Sequence, residues 1–248
     1  MKNLADLKRG LVRLGAQKSE DKVYEYSEGQ IKKRFERKVK KINLLETSIG
    51  TLRSKAKADL SSKDDKTRLS ALAVLLIDHT YERVGNSGSA SEGHYGVTTW
   101  EVKHLTFPGK KALFTYVGKS GVSHKKEVTD ATLVSALKNL KTEAGTGALF
   151  KGEEVSVSAE DVNAYLKKYK ITAKDIRGYH ANRIVKEKLQ ALTKKPDEAD
   201  RKIQFKEVTE AAAEEVGHEA ATLRTQYLAP SIELDFLSDG KVLKKVEA

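Results

Sequence analysis

Residues 67–85, read as TRLSALAVLLIDHTYERVG, form the most apolar helical run of the chain, and the rest has to be arranged around it. Leu69, Leu72, Ala73, Leu76 and Ile77 recur at helical spacing, so a face of this segment must be buried against other elements. The stretch SSKDDK punctuates before it, and Gly85 reads as an ordinary helix stop behind it. Arg83 is then expected in the last turn of a core helix, a rigid mount for a cation. Complementing the helix C-terminus would by itself account for an arginine there.

Upstream, QIKKRFERKVKKINLLETSIGTLRSKAKADL reads as a long helix from Gln30. Ile31, Phe35, Val39, Ile42 and Leu45 fall on one stripe, opposite Lys32, Lys33, Arg34, Arg37, Lys38, Lys40 and Lys41. Such a charge run is either a solvated face or a surface that contacts phosphates. The formal net charge of +11 gives weight to the second reading, because a positive field favours polyanions, nucleic acid first and an anionic membrane second. With 248 residues the chain can hold one large domain with a proper core. Residues 1–28, punctuated by glycine, are read as a helical turn or loose arm ahead of a domain over 29–248.

The chain contains no Cys, which removes disulfides, thiolate nucleophiles and thiolate metal sites, and is compatible with a reducing compartment. The opening MKNLADLKRGLVRLGAQKSED interrupts its apolar residues with charges too often for a signal peptide, and no run approaches membrane-spanning length. A soluble intracellular protein with no membrane partner is expected.

Beyond the apolar helix, NSGSASEGH over 86–94 reads as a flexible loop. VTTWEVKHLTF, KALFTYVG and SHKKEVTD, separated by PGK and GKSG, predict a three-stranded antiparallel meander. Lys119 falls at the tip of its second turn, a place where lysine is ordinarily just solvated. The turn is not a phosphate-binding P-loop, since Leu113 stands where that motif needs glycine. The remainder reads as helical. Ser158 with Asp161, and Thr172 with Asp175, open two helices as capping boxes. Lys174 and Arg177 share one face in the first turns of the second, beside the end that welcomes anions. PDEADRK reads as a connection, a helix follows over roughly 205–216, a short helix carries Tyr227, and only a brief tail follows Pro230. The fold class is mainly α with a small antiparallel three-stranded sheet.

The stretch AEEVGHEAATLRTQYLAP places His218 nine residues before Tyr227, with Arg224 between them. A lone His or Tyr is usually structural. Taken with Arg83, Lys119 and Arg177, the pair has what phosphoryl transfer through a phosphotyrosine requires. A phenol with a pKa near 10 attacks at neutral pH only if its phenolate is stabilised or its proton is accepted. The transition state then needs donors aimed at two non-bridging oxygens, a task suited to the arginine forks and His218. The departing sugar oxygen must gain a proton, which Lys119 on a hairpin tip could supply. The scheme calls for no metal and no nucleotide, and the sequence carries no HExxH, EF-hand loop or GxxxxGK[ST].

This order and wording resemble the catalytic domain of type IB DNA topoisomerases of the poxvirus and bacterial kind. The resemblance rests on LAVLLIDHTYERVGN, YGVTTWEVKHL, the GKSG hairpin, the KDIR helix start and VGH nine residues before tyrosine, and covers roughly residues 30–235. It implies the type IB topoisomerase and tyrosine recombinase catalytic-domain fold, with Arg83, Lys119, Arg177 and His218 assisting Tyr227. Tyr227 would become joined to a 3′-phosphate. It further implies a monomer acting on duplex DNA without cofactor, its binding weakened by salt. Family members carry an N-terminal β-rich clamp, which is expected here to be missing or replaced, residues 1–28 being either an N-terminal arm or a remnant of it. Tyrosine recombinases use a similar residue set but usually have His where Lys174 stands, which favours the topoisomerase. A non-catalytic basic DNA-binding protein would explain the charge but not the five reactive positions together.

Overall fold

The structure, a computed structural model, describes residues 11–14, 23–26, 28–152, 155–193, 195, 197–243 and 246. Two short strands, β1 (Leu11–Leu14) and β2 (Val23–Tyr26), pair antiparallel with Leu11 opposite Tyr26 and Leu14 opposite Val23. Residues 11–14 and 23–26 are therefore strands and not a helical turn. LVRL and VYEY are rich in β-branched, aromatic and aliphatic residues, which suit a paired strand better than an isolated helical turn.

The long basic helix is α1 (Glu28–Asp59), which packs against α2 (Asp65–Thr80). Its predicted stripe turns inward: Val39, Ile42 and Leu45 are buried and Phe35 is partly buried, while the side chain of Ile31 lies outside the described residues. Helix α2 is capped by Asp64, whose side chain accepts from Thr67 N, and every residue from Leu69 to Asp78 is buried. Neighbours therefore enclose it on all sides. Each fully buried Leu or Ile of this kind contributes roughly 1.5–3 kcal/mol.

Helix α2 stops earlier than its glycine suggested. Tyr81 adopts the left-handed conformation (φ 62°) and its N–H closes on Ile77 O, so Arg83 lies beyond the helix and not in its last turn. The chain leaves extended because the carbonyls of Arg83 and Val84 accept from Val97 N (2.9 Å) and Thr98 N (2.7 Å). The mount remains rigid, but it is a cross-link between two segments.

The loop at 86–94 contains a short helix, α3 (Ser87–Ser91), with Asn86 accepting from Ser89 N as its cap. The meander is present as β3 (Leu105–Thr106), β4 (Ala112–Val117) and β5 (Ser123–Val128), in that order and antiparallel. Its first strand is far shorter than VTTWEVKHLTF. Most of that segment is 3-10 turns at Val97–Thr99 and Val102–His104, where Thr99 Oγ1 accepts from Gly96 N and His104 Nδ1 from Glu101 N. Local side-chain bonds of this kind compete with the sheet ladder. Trp100 stacks on Phe114 at 4.0 Å and so ties these turns to β4.

Helices α4 (Ala131–Ala144), α5 (Ala159–Lys167) and α6 (Ala173–Gln190) follow, and both predicted capping boxes form. Helix α7 (Glu198–Val216) begins before the predicted start because Asp197 caps it through Ala199 N (2.6 Å), so PDEADRK is largely helix. The segment after Pro230 is not a brief tail but helix α8 (Pro230–Asp239), whose Phe236 is buried near Phe205. Proline at the first helical position has no hydrogen-bonding amide to lose.

The buried apolar side chains fall into two clusters. One gathers α2, the sheet, α4 and α5; the other gathers α7, α8, the Tyr227 segment and Val39 and Ile42 of α1. Helix α6 belongs to both, with Ile176 and Tyr179 in the first and Ala181, Ile184 and Leu189 in the second. Arg177 therefore sits where the two cores meet. No described helix is long and apolar enough to cross a membrane.

Candidate active site

Arg177 occupies the second turn of α6 and is only 3% exposed, so its guanidinium must find partners inside the protein. It finds three. Nε donates to Tyr81 O (2.6 Å), Nη1 to Tyr227 Oη (3.3 Å), and Nη2 meets His218 Nε2 at 2.6 Å. The left-handed turn at Tyr81 is what presents that carbonyl to Arg177. Burial, first, and the nearby Arg83 lower the Arg177 pKa against the opposing influence of Tyr227, yet a guanidinium stays charged throughout the physiological range.

A guanidinium has no acceptor, so His218 Nε2 must be the acceptor and the ring proton lies on Nδ1. Nδ1 is buried and has no partner among the described residues. Burial and the surrounding cations Arg177, Arg83, Lys126 and Lys174 push the His218 pKa down to about 3. The imidazole is therefore neutral at pH 7. To donate to a phosphate oxygen instead, His218 would have to carry its proton on Nε2 and be released by Arg177 Nη2.

Tyr227 ends a π-helical turn, Leu223–Tyr227, that follows the helical turn Ala220–Thr222. It is buried, with its ring 4.3 Å from that of His218 and Lys174 Nζ 5.7 Å from its centre. The segment is clamped by Asn182, which is fully buried on α6. Asn182 Nδ2 donates to Tyr227 O (2.8 Å), while its Oδ1 accepts from Ala229 N (2.8 Å).

A cleft of about 350 Å³ is lined by Arg83, Asn86, His94, Lys119, Lys174, Arg177 and Tyr227. Four of the five predicted reactive residues thus share one cavity, and His218 joins them through Arg177 and Tyr227. Lys119 is exposed on a 3-10 turn, Lys119–Gly121, at the tip of the β4–β5 hairpin. Arg224 is elsewhere: it is exposed and ion-paired with Glu233.

A second cleft of about 240 Å³ reaches Tyr227 from the α1 side and is lined by Arg34, Arg37, Lys38, Lys41, Lys174 and Gln226, among others. Arg34 Nη2 donates to Gln226 Oε1 (2.9 Å) and Lys38 Nζ to Leu228 O (3.4 Å), so the basic face grips the chain on both sides of the tyrosine. Lys41 bonds the carbonyl of Lys170. Burial, then Arg34 and Lys174, lower the Lys38 pKa to about 8. Lys33 and Lys40 are exposed on α1 away from this cleft, and the side chain of Lys32 lies outside the described residues.

Sequence reasoning missed Asn182, the Tyr81 carbonyl and a polar cluster under the cleft. In that cluster Glu82, 3% exposed, accepts from Arg83 N (3.2 Å) and lies 3.6 Å from both His124 Nδ1 and Lys126 Nζ. Glu82 directly precedes Arg83, but nothing in that adjacency shows that the carboxylate points inward.

Residues 27–233 match the family described as "Eukaryotic DNA topoisomerase I, catalytic core". No curated protein sequence matches the chain. Among solved structures, the chain is similar to the XerH site-specific recombinase bound to palindromic difH substrate in a post-cleavage complex. The identity is 13%, the TM-score 0.46, and the match covers 70% of this chain and 46% of that one. The chain thus spans about half the length of that recombinase. With residues 27–233 inside the family match, the chain belongs to the eukaryotic DNA topoisomerase I catalytic-core family.

Proposed function

We propose that this chain relaxes supercoiled duplex DNA as a type IB topoisomerase, through a covalent link between Tyr227 and a 3′-phosphate. The observation that carries the reading is the Arg177 guanidinium, anchored by Tyr81 O, with its two free ends on Tyr227 Oη and His218 Nε2. An arginine so fixed needs little reorganisation when charge develops on a phosphate beside the tyrosine.

In this scheme the backbone phosphate settles in the cleft with its non-bridging oxygens toward Arg83, Arg177 and His218. Tyr227 Oη attacks phosphorus and its phenolic proton passes to water. The bond from phosphorus to the 5′ oxygen breaks, and Lys119 protonates that oxygen as general acid. The phosphotyrosine conserves the energy of the broken bond. After the free end swivels, the 5′ hydroxyl attacks phosphorus, returns its proton to Lys119 and releases the Tyr227 phenolate, which takes a proton back from water. The basic cleft beside Tyr227, with Lys174 shared between the two cavities, fits flanking phosphates.

The test is relaxation of a negatively supercoiled plasmid in EDTA without ATP, with Tyr227→Phe alongside. The wild type should relax the plasmid, and the variant should bind it without relaxing it. Binding by both with relaxation by neither would reject the topoisomerase reading and leave strand transfer or simple DNA binding.

A further inference from the structure

Three segments that carry candidate catalytic groups converge on one side chain that the proposed chemistry does not use. His124 lies on β5 opposite Tyr116 of β4, with the two rings stacked at 5.4 Å and 20°. Its imidazole extends over the end of the hairpin onto Gly118, the residue before Lys119. A Cβ on Gly118 would stand 2.5 Å from His124 Cδ2 and 2.6 Å from Nε2, closer than such atoms can approach. The ring therefore occupies space that only glycine leaves open.

On its other side the ring meets Gly217, the residue before His218. Gly217 is the left-handed cap of α7 (φ 75°), and a Cβ there would lie 3.2 Å from His124 Cε1. His124 Nδ1 is 3.6 Å from Glu82 Oε1, the residue before Arg83. The side chain is 13% exposed. The charged groups around it are Glu82 and the cations Lys126, Arg177 and Arg83. Burial and those cations lower its pKa against the pull of Glu82, which favours a neutral ring.

We infer that His124 is a positioning residue: its ring wedges the Lys119 hairpin tip against the walls formed by Glu82 and Gly217, and so sets where Lys119 stands over the cleft. The inference rests on the reading of Lys119 as general acid in a topoisomerase. Backbone bonds from Gly118 N to Val122 O (2.7 Å) and from Tyr95 N to Val117 O (2.8 Å) close the hairpin but leave open the space beside Gly118 that the ring fills. Without the ring the tip can shift into that space, and the lysine reaches the departing oxygen less often. Misplacement by about 1 Å is enough to slow chemistry roughly 100-fold.

The experiment is single-turnover cleavage of a duplex whose scissile phosphate has either the normal 5′ oxygen or a bridging 5′ sulfur. A thiolate leaves without being protonated, so the sulfur substrate bypasses the general acid. His124→Ala should cleave the oxygen substrate roughly 10- to 100-fold more slowly than wild type. It should cleave the sulfur substrate at close to the wild-type rate, as Lys119→Ala should. A His124→Ala enzyme equally slow on both substrates would overturn the inference, because its defect would not pass through Lys119. His124→Phe keeps a ring and should recover most of the oxygen-substrate rate; if it is as slow as His124→Ala, the wedge is rejected. If the wild type cleaves neither substrate, the topoisomerase reading fails and not the wedge alone.

Discussion

The demand on Arg177 is directional. Its three donors serve a backbone carbonyl, a phenol and an imidazole in three directions, which the rigid guanidinium fork does at once and a lysine ammonium cannot. Arg177→Lys should therefore slow single-turnover cleavage by about 100- to 1,000-fold while leaving duplex affinity nearly unchanged. A parallel loss of affinity in a filter-binding assay would instead place Arg177 in DNA binding. Arg177 was legible in the sequence because the KDIR start puts it on the anion-welcoming end of a helix. His124 and Glu82 were not: their neighbours are distant in the chain, and apolar periodicity says nothing about which polar side chains turn inward.

At the scale of elements, Tyr227 depends on a turn that a regular helix would not supply. The π turn Leu223–Tyr227 ends at Tyr227, and the chain then has to cross buried ground to reach α8. Asn182 satisfies Tyr227 O and Ala229 N there, and its Nδ2 also reaches Gly178 O (2.6 Å). Asn182→Ala would strand an acceptor and a donor in the interior, at about 1–3 kcal/mol each. Urea denaturation should show a loss of roughly 2–5 kcal/mol, and cleavage should slow further than that loss explains because the tyrosine is no longer fixed. A variant as stable as wild type would show that the clamp is not needed. Helices with capping boxes and an apolar stripe could be placed from the sequence alone, as α5 and α6 were. The elements set by tertiary hydrogen bonds could not: α2 stops at Tyr81, and β3 shrinks to two residues because side chains claim the neighbouring amides. Helix α8 was missed for a simpler reason, since its proline reads as a stop and is in fact a start.

For the molecule as a whole, the strongest pH dependence should come from its histidines. His104, His124, His180 and His218 all have pKa values below the usual histidine value, burial being the leading cause for each. His180 is also bonded to Asp78 (2.7 Å). Although burial pushes the Asp78 carboxyl up, bonds from His180 and Arg53 hold it below its ordinary value, so the pair is a carboxylate with a neutral imidazole. The sign follows. An unfolded chain takes up protons on these rings near a pH of about 6.5, whereas the folded chain resists until lower pH, so acid favours unfolding. Stability should be nearly level between about pH 7 and 8 and should fall as pH drops below about 6.5, with His218 contributing down to about pH 3. Carboxylates such as Asp78 add to the fall only below about pH 4.5, where their unfolded forms begin to protonate. The interval between about pH 6.5 and 5 therefore isolates the histidines. Urea midpoints measured across it should decline steadily, and a midpoint that stays level would mean that these rings are protonated as readily in the folded protein as in the unfolded chain. The neutrality of His218 keeps further positive charge away from a cleft that already holds Arg83, Arg177, Lys119 and Lys174.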